Sequence, residues 1–279
     1  MAASPDPRGQ PPMPFAAAED YERRLLGWAG EPLPDDVVAH LAQPFGAHAA
    51  QRLDVYLPRA AHRDVPVLVF WHGGGWTNGY REYVRFMAPQ VVQRGIALVA
   101  PSYRLVHEAR LPAALDDCNA ALALVQQEAA RWGLARERLV LSGHSAGGHL
   151  AAMTALRTPH PVTACLPISA ILDLHHPAPA SGSLEERVYT RVLEDRDDDA
   201  RLSPIHWTRG NRVPFVLTCG TLDSARVLRS NQRMAALLRL QPGPVELHVE
   251  DGADHFATHL ALADAGHPWY ARLERALAM

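Results

Sequence analysis

The stretch that most constrains the fold is Leu139-Val140-Leu141-Ser142-Gly143-His144-Ser145-Ala146-Gly147-Gly148-His149-Leu150. A short apolar run, 138–141, reads as a buried strand, and 148–157 is a good helix former. Between them stands Gly143-His144-Ser145-Ala146-Gly147, a G-x-S-x-G pattern. In a strand–turn–helix setting this is a nucleophile elbow, in which a strained serine exposes its hydroxyl above a sheet. The flanking glycines are expected where strand and helix backbones approach too closely for a Cβ.

A serine hydroxyl is a poor nucleophile at neutral pH. It needs a base to take its proton and a carboxylate to hold that base in one tautomer. On a parallel sheet carrying an elbow serine, the chain order is Ser, then Asp or Glu, then His. Asp223 lies 78 residues after Ser145, behind the apolar run 214–219 and a Gly220-Thr221 turn. His255 lies another 32 residues on, after the last apolar run, in Asp251-Gly252-Ala253-Asp254-His255-Phe256. Asp251 and Asp254 stand too close to the histidine to be its carboxylate, and His259 is the one nearby rival base. The negative charge of a tetrahedral intermediate needs donors, and His72-Gly73-Gly74-Gly75-Trp76 follows the apolar run 67–71. The expected donors are the N–H groups of Gly74, Gly75 and Ala146. His72 and Trp76 are read as shaping that loop.

Strand-like runs at 52–57, 67–71, 95–100, 138–141, 164–168, 214–219 and 245–249 alternate with helical stretches at 15–28, 83–94, 111–132, 148–157, 224–240 and the C-terminus. The clearest helix, 111–132, places Leu115, Cys118, Leu122, Val125, Ala129 and Trp132 on one face,. This alternation implies an α/β fold with a mostly parallel central sheet, helices on both faces and reactive loops at the strands' carboxyl ends. Residues 1–14 are Pro-rich and read as a disordered tail. Residues 15–279 then form a single domain, with 15–50 and 175–204 contributing a small lid. The segment 31–50 is expected to be irregular.

HGGGW, GHSAGGHL, the late Asp and ADHF together resemble the hormone-sensitive-lipase-like branch of the α/β-hydrolases. Within that branch the chain is most similar to arylformamidase (kynurenine formamidase)-type proteins. Ser169-Ala170-Ile171-Leu172-Asp173-Leu174, Leu202-Ser203-Pro204-Ile205-His206, and Asp223 with Arg226, Ser230 and Gln232 carry the likeness further. The resemblance implies an α/β-hydrolase fold and a serine hydrolase acting through an acyl-enzyme on a small aryl formamide or short acyl ester. Gly75 stands where formamidases of this type carry a bulkier residue, and the three-glycine form is also what esterases show. A broad short-chain carboxylesterase is therefore the alternative, and a non-catalytic hydrolase-fold binding protein a remote one.

Composition narrows the rest. The formal net charge is −3 and the basic residues are all Arg, which points to neither nucleic acid nor a membrane surface as partner. Cys118, Cys165 and Cys219 are scattered and apolar in setting, so they read as reduced core residues. No transmembrane run, signal peptide, metal-ligand set or cofactor motif is seen. The expectation is a cytoplasmic protein, a homodimer being admissible, with no cofactor and a small-molecule acyl ester or formamide as its partner. Loop aromatics at the strand ends, Trp76, Tyr80, Tyr103 and Trp207, with His107 and His144, are candidates for the pocket wall. Arg104 and Arg226 are the cations placed to meet a substrate carboxylate.

Overall fold

The computed structural model describes residues 10–60 and 63–278. The sequence pattern becomes helix α1 (Ala16–Ala29), strands β1 (Val37–Pro44), β2 (Arg52–Pro58) and β3 (Val65–Trp71), helix α2 (Ala88–Val92), strand β4 (Ala97–Pro101) and helix α3 (Ala113–Trp132). Then follow β5 (Leu134–His144), α4 (Ala146–Arg157), β6 (Ala164–Ile168), α5 (Leu184–Arg187), β7 (Phe215–Gly220), α6 (Ala225–Leu238), β8 (Val245–Glu250), α7 (Ala257–Leu260) and α8 (Pro268–Leu277).

The eight strands form one sheet in the order β1-β2-β4-β3-β5-β6-β7-β8. β1 and β2 pair antiparallel, as do β2 and β4, and every other neighbour is parallel. Each central strand is apolar on both faces because the two-residue period divides it between two cores. Val67, Val69 and Trp71 of β3 join Leu139 and Leu141 against α3 and α4. Leu68 and Phe70 join Val140, Leu166 and Trp269 on the other face. The face of α3 built from Leu115, Cys118, Leu122, Val125, Ala129 and Trp132 is buried as expected. Gly133 closes it in the left-handed conformation (φ 69°),.

Two stretches depart from the sequence reading. The segment expected to be irregular, 31–50, contains β1, an edge strand paired with β2. A register break between His40 and Gln43 interrupts its alternation, and Ala42 there has φ 52° and donates its N–H to Asp54 Oδ1 at 2.7 Å. Half-exposed and bulged, such a strand lacks the period-two signal. The helix expected at 83–94 is a 3₁₀ run, Arg81–Met87, followed by the short α2, with Pro89 in its first turn. Residues 1–9 of the stretch read as a tail lie outside the described residues; Gln10 and Pro11 hydrogen-bond to the loop after β3. In the 175–204 insertion, Tyr189 and His175 both bond Asp199, and Leu111 bridges to Leu193. Among the described residues no helix is long and apolar enough to cross a membrane.

Candidate active site

Parallel strands end at one rim, and the elbow lies at its centre. Ser145 has φ 55° and ψ −117°, outside the helical and extended regions, so neighbouring packing must hold it there. A Cβ on Gly143 would lie 2.5 Å from the Gly147 backbone, and one on Gly147 would lie 2.1 Å from Trp71 O. That contact is the physical reason for the glycine spacing.

Ser145, His255 and Asp223, 110 and 32 residues apart in sequence, form one hydrogen-bonded chain. His255 Nε2 lies 2.9 Å from Ser145 Oγ, and His255 Nδ1 lies 2.7 Å from Asp223 Oδ1. A carboxylate can only accept, so Nδ1 carries the hydrogen and Nε2 is left to accept the serine proton. Asp223 Oδ2 also accepts from the Gly220 N–H at 3.0 Å and the Ser169 hydroxyl at 2.6 Å. Burial works against the charge on Asp223. The bond and charge of His255, the Gly220 amide and Ser169 outweigh that and hold its pKa below the usual carboxylate range,. The three groups can therefore abstract a proton from the serine and stabilise the resulting imidazolium.

Gly74, Gly75 and Trp76 all have positive φ (124°, 61° and 61°), which turns the loop after β3 over the elbow. The Gly74 carbonyl accepts from the Thr77 and Asn78 N–H groups, closing the turn. Among the described residues the N–H groups of Gly74, Gly75 and Ala146 have no protein acceptor. Pro11 O and Gln10 tie the far side of this loop through Asn78 and Gly79.

Ser145 and His255 open on a cavity of about 370 Å³. Trp76 and His144 line it. Trp76 is 2% exposed and packs edge-on to His149 at 5.0 Å. The four other wall candidates lie elsewhere. Tyr103 is buried, stacks on His72 at 4.4 Å and donates to His72 O, so it supports the glycine loop from beneath. Tyr80 packs edge-on to Tyr83 and is not among the lining residues. Trp207 is on the surface, under Arg157 at 4.2 Å, donating its indole N–H to Arg201 O. His107 is exposed away from the cavity. Arg104 is occupied by Asp117, whereas Arg226 does reach the wall. The apolar wall instead comes from Phe15 and Tyr21, from Leu184 and Val188 of the insertion, and from Leu222 and Phe256.

Sequence reasoning missed three polar residues around His255. Ser169, at φ 45°, holds Asp223 and lies 2.8 Å from the Thr258 hydroxyl, which also donates to His255 O at 3.0 Å. Tyr21 reaches His144 and His259 from α1. Ser169 had one available signal, its place immediately after a strand whose end lies on the active rim.

Comparison with known proteins bears on the family and the fold. Kynurenine formamidase of Danio rerio is 34% identical over 111 residues, covering 39% of this chain and 36% of that protein. Carboxylesterase NlhH of Mycobacterium tuberculosis is 31% identical over 150 residues, covering 52% of this chain and 47% of its own. The matches thus span about a third to a half of those relatives' lengths. Esterase B from Lactobacillus rhamnosis, solved with a tributyrin phosphonate, superposes with a TM-score of 0.79 at 19% identity, over 94% of this chain and 93% of its own. That likeness shows the α/β-hydrolase fold. The family model BD-FAE matches residues 53–237, which takes in the glycine loop, the elbow and Asp223: the chain belongs to the BD-FAE family.

Proposed function

We propose that this chain is a serine hydrolase that cleaves small esters with apolar or aryl groups through an acyl-enzyme. The observation that carries the reading is the Ser145–His255–Asp223 chain at the floor of a cavity of about 370 Å³ with a largely apolar wall. As His255 Nε2 takes its proton, Ser145 Oγ bonds to the substrate carbonyl carbon. The carbonyl oxygen becomes an oxyanion facing the N–H groups of Gly74, Gly75 and Ala146. When the ester C–O bond breaks, His255 gives that proton to the leaving alkoxide. A water then attacks the acyl-enzyme with His255 again as base, releasing the acid and restoring Ser145. The N-terminal segment and the 175–204 insertion act as a lid that keeps bulk water from the acyl-enzyme.

Aryl formamide hydrolysis is the second reading, favoured by the likeness to kynurenine formamidase. A formyl group would leave most of this cavity to the leaving group, whereas an ester can fill it from both sides of the carbonyl. Turnover of 4-nitrophenyl butyrate beside N-formylkynurenine separates the two. Ser145→Ala is expected to abolish both activities without unfolding the protein, and full residual activity would refute the mechanism.

A further inference from the structure

The main chain of His255 is tethered as well as its ring. His144 Nε2 lies 2.7 Å from His255 O. A carbonyl can only accept, so Nε2 carries a hydrogen. Burial, with the nearby His255 and His259, pushes the His144 pKa well below the ordinary histidine value, so the ring is neutral and its Nδ1 is a bare acceptor. The Tyr21 hydroxyl lies 3.2 Å from that Nδ1 and must donate to it. Its one proton is then committed, and its oxygen accepts from His259 Nδ1–H at 2.7 Å. His259, held neutral by burial with a pKa near 3, is left with an unprotonated Nε2. That atom is the one on this ring with no hydrogen-bond partner. Every proton in the chain His259→Tyr21→His144→His255 carbonyl thus has one direction.

We propose that Tyr21 is a positioning residue of the active site: its hydroxyl donates to Nδ1 of the His144 ring whose Nε2–H holds the His255 carbonyl, and by fixing that ring it sets where the His255 ring meets Ser145 and Asp223. This rests on reading Ser145–His255–Asp223 as the catalytic chain. Without the Tyr21 proton, His144 keeps its hydrogen on Nε2, where the His255 carbonyl accepts it, but its buried Nδ1 loses its donor. The ring is then held by one hydrogen bond in place of two, and its movement carries the His255 carbonyl with it. Packing alone does not require the hydroxyl, because the Tyr21 ring already lies 4.7 Å from the Phe256 ring and edge-on to Tyr83 at 6.0 Å. Phenylalanine would keep those contacts and the ring's place on the cavity wall.

The test is Tyr21→Phe beside Ser145→Ala, both assayed on 4-nitrophenyl butyrate, with nitrogen-15 imidazole spectra of the wild type and Tyr21→Phe. Expected is a kcat loss of about 10- to 100-fold at nearly unchanged KM, since a 1 Å misplacement can cost ~10²-fold. The wild-type spectrum should show His144 protonated on Nε2 and His259 on Nδ1, with the His144 Nδ1 resonance shifted in the variant by the loss of its donor. Should the variant fail to fold, the wild-type spectrum decides. His144 protonated on Nδ1 in the wild type, or a folded Tyr21→Phe with wild-type kcat, overturns the proposal. Activity surviving in Ser145→Ala would instead sink the catalytic reading beneath it.

Discussion

Replacing Asp223 with Asn tests the catalytic chain at its most determined point. The two carboxylate oxygens do different things. Oδ1 accepts from His255 Nδ1–H, while Oδ2 accepts from the Gly220 N–H and the Ser169 hydroxyl. An asparagine amide must choose which end to place where. The Gly220 N–H is fixed backbone and can only donate, so the amide oxygen must face it and the NH₂ must face His255. Two donors cannot meet, so His255 gives up its Nδ1 hydrogen and carries it on Nε2. The base then points an N–H at Ser145 Oγ instead of a lone pair. An equivalent wrong-tautomer change in a serine protease lowers kcat about 10⁴-fold, which at 1.36 kcal/mol per tenfold is about 5.4 kcal/mol of barrier. The same loss is expected here, on 4-nitrophenyl butyrate and in the rate of fluorophosphonate labelling of Ser145. Fold stability should fall by much less, since the substitution is isosteric and forfeits one charged hydrogen bond, about 1.5–3 kcal/mol. A folded Asp223→Asn enzyme within tenfold of wild type would refute the tautomer argument and the role of Asp223 with it.

Two further outcomes follow from the same site. At Gly74, φ is +124° and a Cβ would lie 2.0 Å from Asn78 O, so Gly74→Ala must move backbone. Losing one oxyanion donor should lower kcat by about 10²- to 10³-fold, read from steady-state kinetics with KM as the control for binding; an unchanged kcat would remove this loop from the oxyanion site. The Asp223 pKa is depressed in the folded protein, so its contribution to stability is complete above the unfolded carboxylate pKa and is lost as pH falls toward the folded one. Melting temperatures measured from about pH 6 down to pH 3 should therefore drop more steeply for wild type than for Asp223→Asn below about pH 4, where an unfolded aspartate titrates. Parallel slopes would mean that Asp223 is not the depressed group.

The parts of this site that can be read in the sequence are those whose chemistry dictates local spacing. Glycines two residues either side of Ser145 are demanded by a backbone contact within the elbow, and the glycine run after Trp71 by an unusual loop conformation. The order Ser145, Asp223, His255 is legible because each follows a strand, and strands of a parallel sheet deliver their ends to one rim. The supporting shell obeys no such local rule. Tyr21 and His259 are 238 residues apart, and helical periodicity marks Tyr21 only as a buried position. Its hydroxyl, the part that acts, leaves no trace in a hydrophobic pattern. Ser169 and Thr258 are small polar residues of a kind found in any loop. The aromatics divide for the same reason: Tyr103 and Trp76 both follow strands and both are buried, yet one stacks under the glycine loop and the other lines the cavity. Loop aromatics report that apolar area will be covered, not which surface covers it. Much of the cavity's apolar wall is therefore supplied from outside the parallel sheet, by α1 and the 175–204 insertion. Exchanging the 175–204 insertion would change the substrate while leaving Ser145, His255 and Asp223 in register, because the strand ends and the Tyr21 hydroxyl of α1 hold the reactive rim without it.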